Sequence, residues 1–371
     1  MGVPAPEGPP TLDDFAAVGL YDSSAPNAAD RRALLEWLVA RGVSLDEMVR
    51  APSITGLASD LQLASSGTLQ LEEVAARVGT TPEQILEISR AVGLPLPAPG
   101  ERAFGEADVE SFRGFLAGAA LFGRVPVLQF ARVLGSSLAR IAEAAVALFR
   151  SELERPLVDA GGSELRLAKT TLQAIQTLDV LPASFAAILP GHMRAAIRRF
   201  RGAQESGRLD VVRVTIGFVD LVGFTPLSQQ LGTDELGALV ERFESLAHEV
   251  TSAHDSRVVK LVGDAVMFVA REPLTAAEVA LTLIDRCAGD TQITPRGGLA
   301  DGPVLIRGGD YYGPIVNLAA RLSELAVPRE VLVTAEVAGG ISGERLRCEP
   351  AGRRQLKGFA EPIALFTVER G

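Results

Sequence analysis

The sequence predicts an all-α amino-terminal domain followed by an α+β domain. The elements of the second domain run strand, helix, hairpin, helix, strand, which is the split βαβ or ferredoxin-like order. Three observations predict this. The first 200 residues are rich in Ala, Leu, Glu and Arg and show little strand-type alternation. From residue 209 the texture changes, and 211–220 is a run of β-branched residues that reads as a strand. Gly263 and Asp264, a favourable turn pair, sit between two short apolar runs at 257–262 and 265–270.

In the first half, breaks at 51–52, 67, 79, 95–100, 123–126, 161–162 and 190–191 fall on Gly or Pro and divide the chain into many short helices. Within 71–123 a helix, a turn and a second helix are expected, with the look of a MerR-type DNA-binding segment. That segment holds eight carboxylates (Glu72, Glu73, Glu83, Glu87, Glu101, Glu106, Asp108, Glu110) against Arg77, Arg90, Arg102 and Arg113. DNA reading needs the opposite balance, so a helical scaffold is the better reading. The most apolar stretch, 125–149, is interrupted by Arg132, Arg140 and Glu143. A span needs about 20 mostly apolar residues, so a buried helix is expected and no transmembrane segment. Peripheral membrane or lipid contact stays open. The charged stretch 192–208 reads as a linker or switch between domains 1–191 and 209–371.

In the second half, Leu236, Leu239, Val240, Phe243, Leu246, Ala247 and Val250 recur at three- and four-residue steps, which predicts an amphipathic helix over 233–250. Thr233 can cap it, with Asp234 and Glu235 suiting its positive first turn. A helix at 273–287, a strand at 291–301 and a long connection at 301–310 follow. A helix at 313–325, a strand at 330–334, and strands at 345–355 and 363–369 close the domain.

Apolar residues make up 47% and charged residues 22% of the 371, ordinary for a soluble globular chain. The net charge of -10 divides evenly: 1–207 holds 24 acidic and 19 basic residues, 208–371 holds 22 and 17. Neither half has the basic excess of a nucleic-acid binder. Cys287 and Cys348 fit no disulfide framework and suit a reducing, cytoplasmic setting. The start, MGVPAPEGPP, lacks the charged and apolar regions of a secretory signal.

Against this background six polar residues stand out: Asp220, Lys260, Asp264, Asp310, Asn317 and Arg321. Asp220 ends the first strand and Asp264 sits in the hairpin turn, so adjacent strand ends can bring two carboxylates around hard cations such as Mg²⁺ or Mn²⁺. Val222, Gly223, Phe224 and Thr225 can offer backbone N–H groups to phosphates at the start of the next helix. Asn317 and Arg321, four apart, share a helix face. The chain's only lysines are Lys169, Lys260 and Lys357, so a lysine at 260 resists a strong arginine bias. Each residue alone has a plainer reading: a capping carboxylate, a turn residue, a solvated pair, an edge-strand charge.

The motifs FVDLVGFT (218–225), VKLVGDAVMF (259–268), GDYYGPIVNLAAR (309–321) and LKGFAEP (356–362) resemble the core of class III nucleotidyl cyclases, in order and spacing. The resemblance implies that Asp220 and Asp264 bind two metal ions and that Lys260 and Asp310 select adenine, where guanylyl cyclases commonly place glutamate and cysteine. It implies that Asn317 orients the ribose, Arg321 stabilises the transition state and Lys357 touches the triphosphate. The reaction implied is attack of the ATP ribose 3′-hydroxyl on its own α-phosphorus with loss of pyrophosphate; no general base is evident outside the metal site. In this family the metal aspartates and the remaining residues come from different subunits. One chain carrying both sets implies a head-to-tail homodimer with two shared sites. The layout also resembles mycobacterial-type soluble class IIIc adenylyl cyclases with a helical, autoinhibitory amino-terminal domain, some of them pH-responsive. On that resemblance pH and lipid are the candidate signals. His192, at the junction, is where a pH sensor would sit, against the plainer reading of an exposed linker histidine. The rival readings are a guanylyl cyclase, which Lys260 and Asp310 disfavour, and a non-catalytic nucleotide sensor or DNA-binding regulator.

Overall fold

The computed structural model describes residues 9–63, 67–202, 210–287, 294–341 and 345–371. Contacts divide the chain into two units, Met1–Ile188 and Leu189–Gly371. Residues 203–208 of the expected linker and 291–293 of the expected strand lie outside the described residues.

The first unit is helical. Helices α1 (Leu12–Ala17), α2 (Ala28–Val39), α3 (Leu45–Arg50) and α4 (Leu57–Leu63) gather around Phe15, Leu34, Leu35, Leu38 and Met48. Helices α5 (Leu71–Val78), α6 (Pro82–Val92), α7 (Glu106–Phe122) and α8 (Arg124–Phe149) form a second core around Val74, Ile85, Ile88, Val109 and Phe112. After a short α9 (Arg155–Asp159), α10 (Glu164–Thr177) returns to the first core through buried Ala168. Arg31 ties it there, donating Nε and Nη2 to Glu164 at 2.7 and 2.6 Å. Capping follows chemistry: Thr11 and Ser44 accept from the third helical N–H, and Gly79 and Gly93 end α5 and α6 in the left-handed conformation. The expected helix–turn–helix is present as α5 and α6. Arg77, Arg102 and Arg113 are ion-paired with Glu106, Glu73 and Glu110.

Two expectations fail here. The apolar stretch 125–149 is not a buried helix. In α8 only Val127, Leu128, Ala131 and Gly135 are buried, while Val125, Phe130, Val146 and Leu148 are 58–65% exposed. Its buried residues lie in its first half, where Leu128 joins the second core and Gly135 packs on α6; a Cβ there would collide with the Val92 backbone. The break at 190–191 is also absent. Helix α11 (Leu181–Gly202) runs through Pro190, and residues 192–202 of the expected linker are helical. Among the described residues, Glu164–Arg198 is the one helical stretch long and apolar enough to cross a membrane by length and composition. None of its most apolar part is buried.

The second unit carries the expected α+β fold. Strand β1 (Val211–Leu221), a short α12 (Phe224–Ser228), α13 (Thr233–Ala253), β2 (Arg257–Val262), β3 (Ala265–Ala270), α14 (Pro273–Arg286) and β4 (Pro295–Arg307) give the sheet order β2-β3-β1-β4, all antiparallel. Then come β5 (Asp310–Tyr312), α15 (Pro314–Leu325), β6 (Val331–Thr334), α16 (Ala335–Gly340), β7 (Leu346–Arg354) and β8 (Ile363–Arg370). Strands β6, β8 and β7 extend the sheet beyond β4. Helices α13 and α14 cover one face, burying Leu239, Phe243, Ala280 and Leu283 on Val219, Val266 and Leu299. Helix α15 covers the other through Leu318, Ala319 and Leu322 against Ile216, Met267 and Ala300. Gly298 permits that contact: a Cβ there would lie 2.2 Å from Ser323 N and 2.4 Å from Ala319 O.

Details differ from expectation. Helix α13 is capped at Gly232, whose N–H donates to Glu235 at 3.1 Å, not by the Thr233 side chain. Residues 301–307 are no loose connection: β4 continues through Pro303 and turns at Gly308 and Gly309 into β5. The Ile306 N–H points to β1, bonding Asp210 O at 3.0 Å. By alternation the Pro303 nitrogen points to the outer edge, between the stretches paired with β6 and β5, so no ladder bond is lost.

Candidate active site

Antiparallel pairing builds the acidic centre. Asp220, next to last in β1, lies opposite Ala265 of β3 and Arg296 of β4. Asp264 precedes Ala265 in the β2–β3 turn, which Gly263 enters at φ 63°. The two carboxylates are thereby neighbours. Burial, the Asp220 charge and a hydrogen bond to Asp220 hold the Asp264 carboxyl above the usual carboxylate range, against its backbone bond and Arg296. No group of three or more metal-ligating side chains occurs among the described residues. Two crowded carboxylates without a third protein ligand fit a hard cation that keeps water and phosphate in its shell, and not a closed zinc site.

Arg296 is the residue sequence reasoning missed. Its Nε and Nη2 donate to Asp220 Oδ2 at 3.1 and 2.9 Å, and its Nη1 donates to the carbonyls of Glu324 and Ala326 at 2.7 and 3.2 Å. It links Asp220 to the end of α15 and neutralises one of the two charges. Its one available signal was register: it is the β4 residue directly opposite Asp220.

A second cluster lies on the same face of the sheet. Lys260 of β2 donates its Nζ to Asp310 Oδ2, and the other Asp310 oxygen accepts from the Tyr311 N–H at 2.8 Å. These two predicted residues, 50 apart in sequence, meet within one chain.

The remaining predicted residues stand apart. Asn317 and Arg321 lie on the face of α15 opposite its buried residues; Asn317 is exposed, and Arg321 is ion-paired with Glu324 rather than with either aspartate. Gly223, at φ 79°, opens α12; Thr225 is exposed, and Val222 and Phe224 are half-buried. The next helix after β1 is therefore this five-residue turn and not α13. Lys357 is exposed beside buried Leu356. His192 is exposed on α11.

A sheet of this order, with neighbouring carboxylates at adjacent strand ends and a Lys–Asp pair, has the features that the resemblance to nucleotidyl cyclases implies. The family described as Adenylate and Guanylate cyclase catalytic domain matches residues 209–369, and that described as Adenylate cyclase regulatory domain matches residues 13–197. An uncharacterised protein of Mycobacterium tuberculosis is 32% identical over 363 residues, covering 96% of this chain and 94% of its own. A pH-sensitive adenylate cyclase of the same species is 30% identical over 377 residues, covering 97% and 92%. An adenylate cyclase of Streptomyces coelicolor is 33% identical over 264 residues, covering 70% and 68%. The chain belongs to the class III adenylate cyclases that carry an amino-terminal regulatory domain.

Proposed function

We propose that this adenylate cyclase converts ATP to 3′,5′-cyclic AMP and pyrophosphate at two equivalent sites, each shared by two copies of the chain. The observation that carries the reading is the Lys260–Asp310 pair, already bonded on the same sheet face as the aspartates. Adenine presents an exocyclic amine where guanine presents a carbonyl. Asp310 accepts from that amine and Lys260 donates to the neighbouring ring nitrogen. A guanine carbonyl would leave the Asp310 carboxylate facing an acceptor, which discriminates by rejection.

Asp220 and Asp264 hold the divalent cations, Mg²⁺ or Mn²⁺, which when bound acidify the 3′-hydroxyl and neutralise the triphosphate. Arg296 already bonds Asp220, so a cation held there would share that carboxylate with it. Asn317 orients the ribose. Arg321 leaves Glu324, an exposed pair of small worth, to balance charge developing on the α-phosphorus of a substrate held by the partner's aspartates. The outward face of α15 supports that assignment. The 222–225 backbone and Lys357 approach the triphosphate.

We assign the regulatory domain to 1–191, the switch to 192–208 and the catalytic domain to 209–371, with the first acting as an inhibitor. The helical backbone at 192–202 suits a switch that transmits by rotation or bending. The similarity to a pH-sensitive cyclase favours pH as the signal, with His192 as the group to test. Cys287 and Cys348, not joined in a disulfide, suit the cytosol. The test is to incubate the full chain with Mn²⁺ and ATP or GTP and measure cyclic nucleotide and pyrophosphate. Cyclic AMP as the main product supports the reading; cyclic GMP as the main product, or no turnover from pH 5 to 9, overturns it.

A further inference from the structure

We infer that Arg257 is a positioning residue for nucleotide selection, acting through Asp310. The inference rests on the reading of Lys260 and Asp310 as the base-selecting pair. In a regular strand Arg257 and Lys260, three apart, would face opposite sides of the sheet. Strand β2 is not regular. Arg257 pairs with Val269, Val258 with Phe268, and then Lys260 with Met267, so Val259 is an inserted residue. The bulge places both basic side chains opposite Val269 and Met267, residues of one face. Bulges that re-aim a side chain gather beside active sites.

Both side chains then reach the same hairpin. Gly308 and Gly309, at φ 60° and 80°, form a two-residue turn between paired Arg307 and Asp310. The Arg257 Nη2 donates to Gly309 O at 3.4 Å, and its guanidinium carbon lies 5.9 Å from the centroid of buried Tyr311. Arg257 thus touches the residues on either side of Asp310, while Lys260 takes the Asp310 carboxylate itself. The buried Nε of Arg257 has no acceptor among the described residues, so its hold rests on Nη2 and the ring. Without Arg257 the β2–β5 contact keeps the charge pair and loses the contacts on either side of Asp310, leaving the hairpin to its β4–β5 ladder. The base edge then meets an Asp310 with more freedom.

The test compares Arg257→Met, Arg257→Lys and Asp310→Ala with the parent full chain, reading kcat and KM for ATP and GTP with Mn²⁺. For Arg257→Met, KM for ATP rises about three- to five-fold, the scale of a partly exposed cation–π contact. The kcat changes less, and the preference for ATP over GTP falls by a similar factor. Arg257→Lys, which keeps a cation near the ring, recovers much of both. A merely structural role lowers activity with both nucleotides alike. If Arg257→Met fails to fold, Arg257→Gln is read in the same way. An unchanged ATP preference in the Arg257 variants, with Asp310→Ala abolishing it, overturns the inference alone. An unchanged preference in Asp310→Ala overturns the base-selecting reading and the inference with it.

Discussion

Arg296→Gln removes the cation bonded to Asp220, and its consequence can be worked from the contacts. Four hydrogen bonds are lost, two to Asp220 Oδ2 and two to the carbonyls that end α15. Arg296 and Asp220 are 24% and 17% exposed, so the pair is largely but not fully desolvated. Stranding one partner of a buried pair costs about 3–5 kcal/mol, and the remaining exposure discounts this to about 2–4 kcal/mol. For a unit of this size that lowers the midpoint of its unfolding by about 5–15 °C. Scanning calorimetry of the full chain, without and with Mn²⁺, reads both halves of the argument. The variant melts lower without cation. Mn²⁺ then raises its midpoint by more than the parent's, because Asp220 is no longer held by a guanidinium. A variant that melts with the parent, or gains no more from Mn²⁺, refutes the reasoning.

Gly298→Ala places a methyl against the α15 backbone, where overpacking costs about 1–3 kcal/mol; since α15 carries Asn317 and Arg321, kcat falls with the melting temperature, and an unchanged kcat contradicts that coupling. Burial raises the Asp301 carboxyl above its ordinary value, opposed by Arg213, bonded at 2.6 Å, and by Thr215 at 3.1 Å. Between the unfolded and folded pKa the folded state binds more protons, so this group's contribution favours folding at low pH and is lost as pH rises through the folded value. Denaturant titrations against pH should therefore lose that part of the slope in Asp301→Asn; an identical slope counts against it. His192→Gln should shift the pH–activity curve of the full chain if His192 senses pH, and an unmoved curve ends that role.

Much of the catalytic fold was legible because its signals are local. β-Branched runs marked β1 and the β2–β3 hairpin, and a clear three- and four-residue period marked α13. What was not legible depended on partners. The length of β4 was hidden by Gly302 and Pro303, which look like a loop until the ladder shows which way each nitrogen points. Arg296 was hidden among many arginines until strand pairing set it across from Asp220. The bulge at Val259 has no composition signal at all, yet it aims Arg257 and Lys260 together. In the first unit, apolar content alone could not say that most of α8 stays uncovered. A single proline was a poor guide to the end of α11, whose helix absorbs it.

The most direct measurement of the shared-site account mixes two inactive chains. Asp220→Asn lacks a metal carboxylate, and Arg321→Ala lacks the arginine offered to the partner. If each site draws on both copies, random exchange makes half the dimers mixed, each with one intact site. Cyclic AMP synthesis then recovers to about a quarter of the parent rate per chain. A mixture as inactive as its components, after exchange of subunits has been verified, contradicts the account.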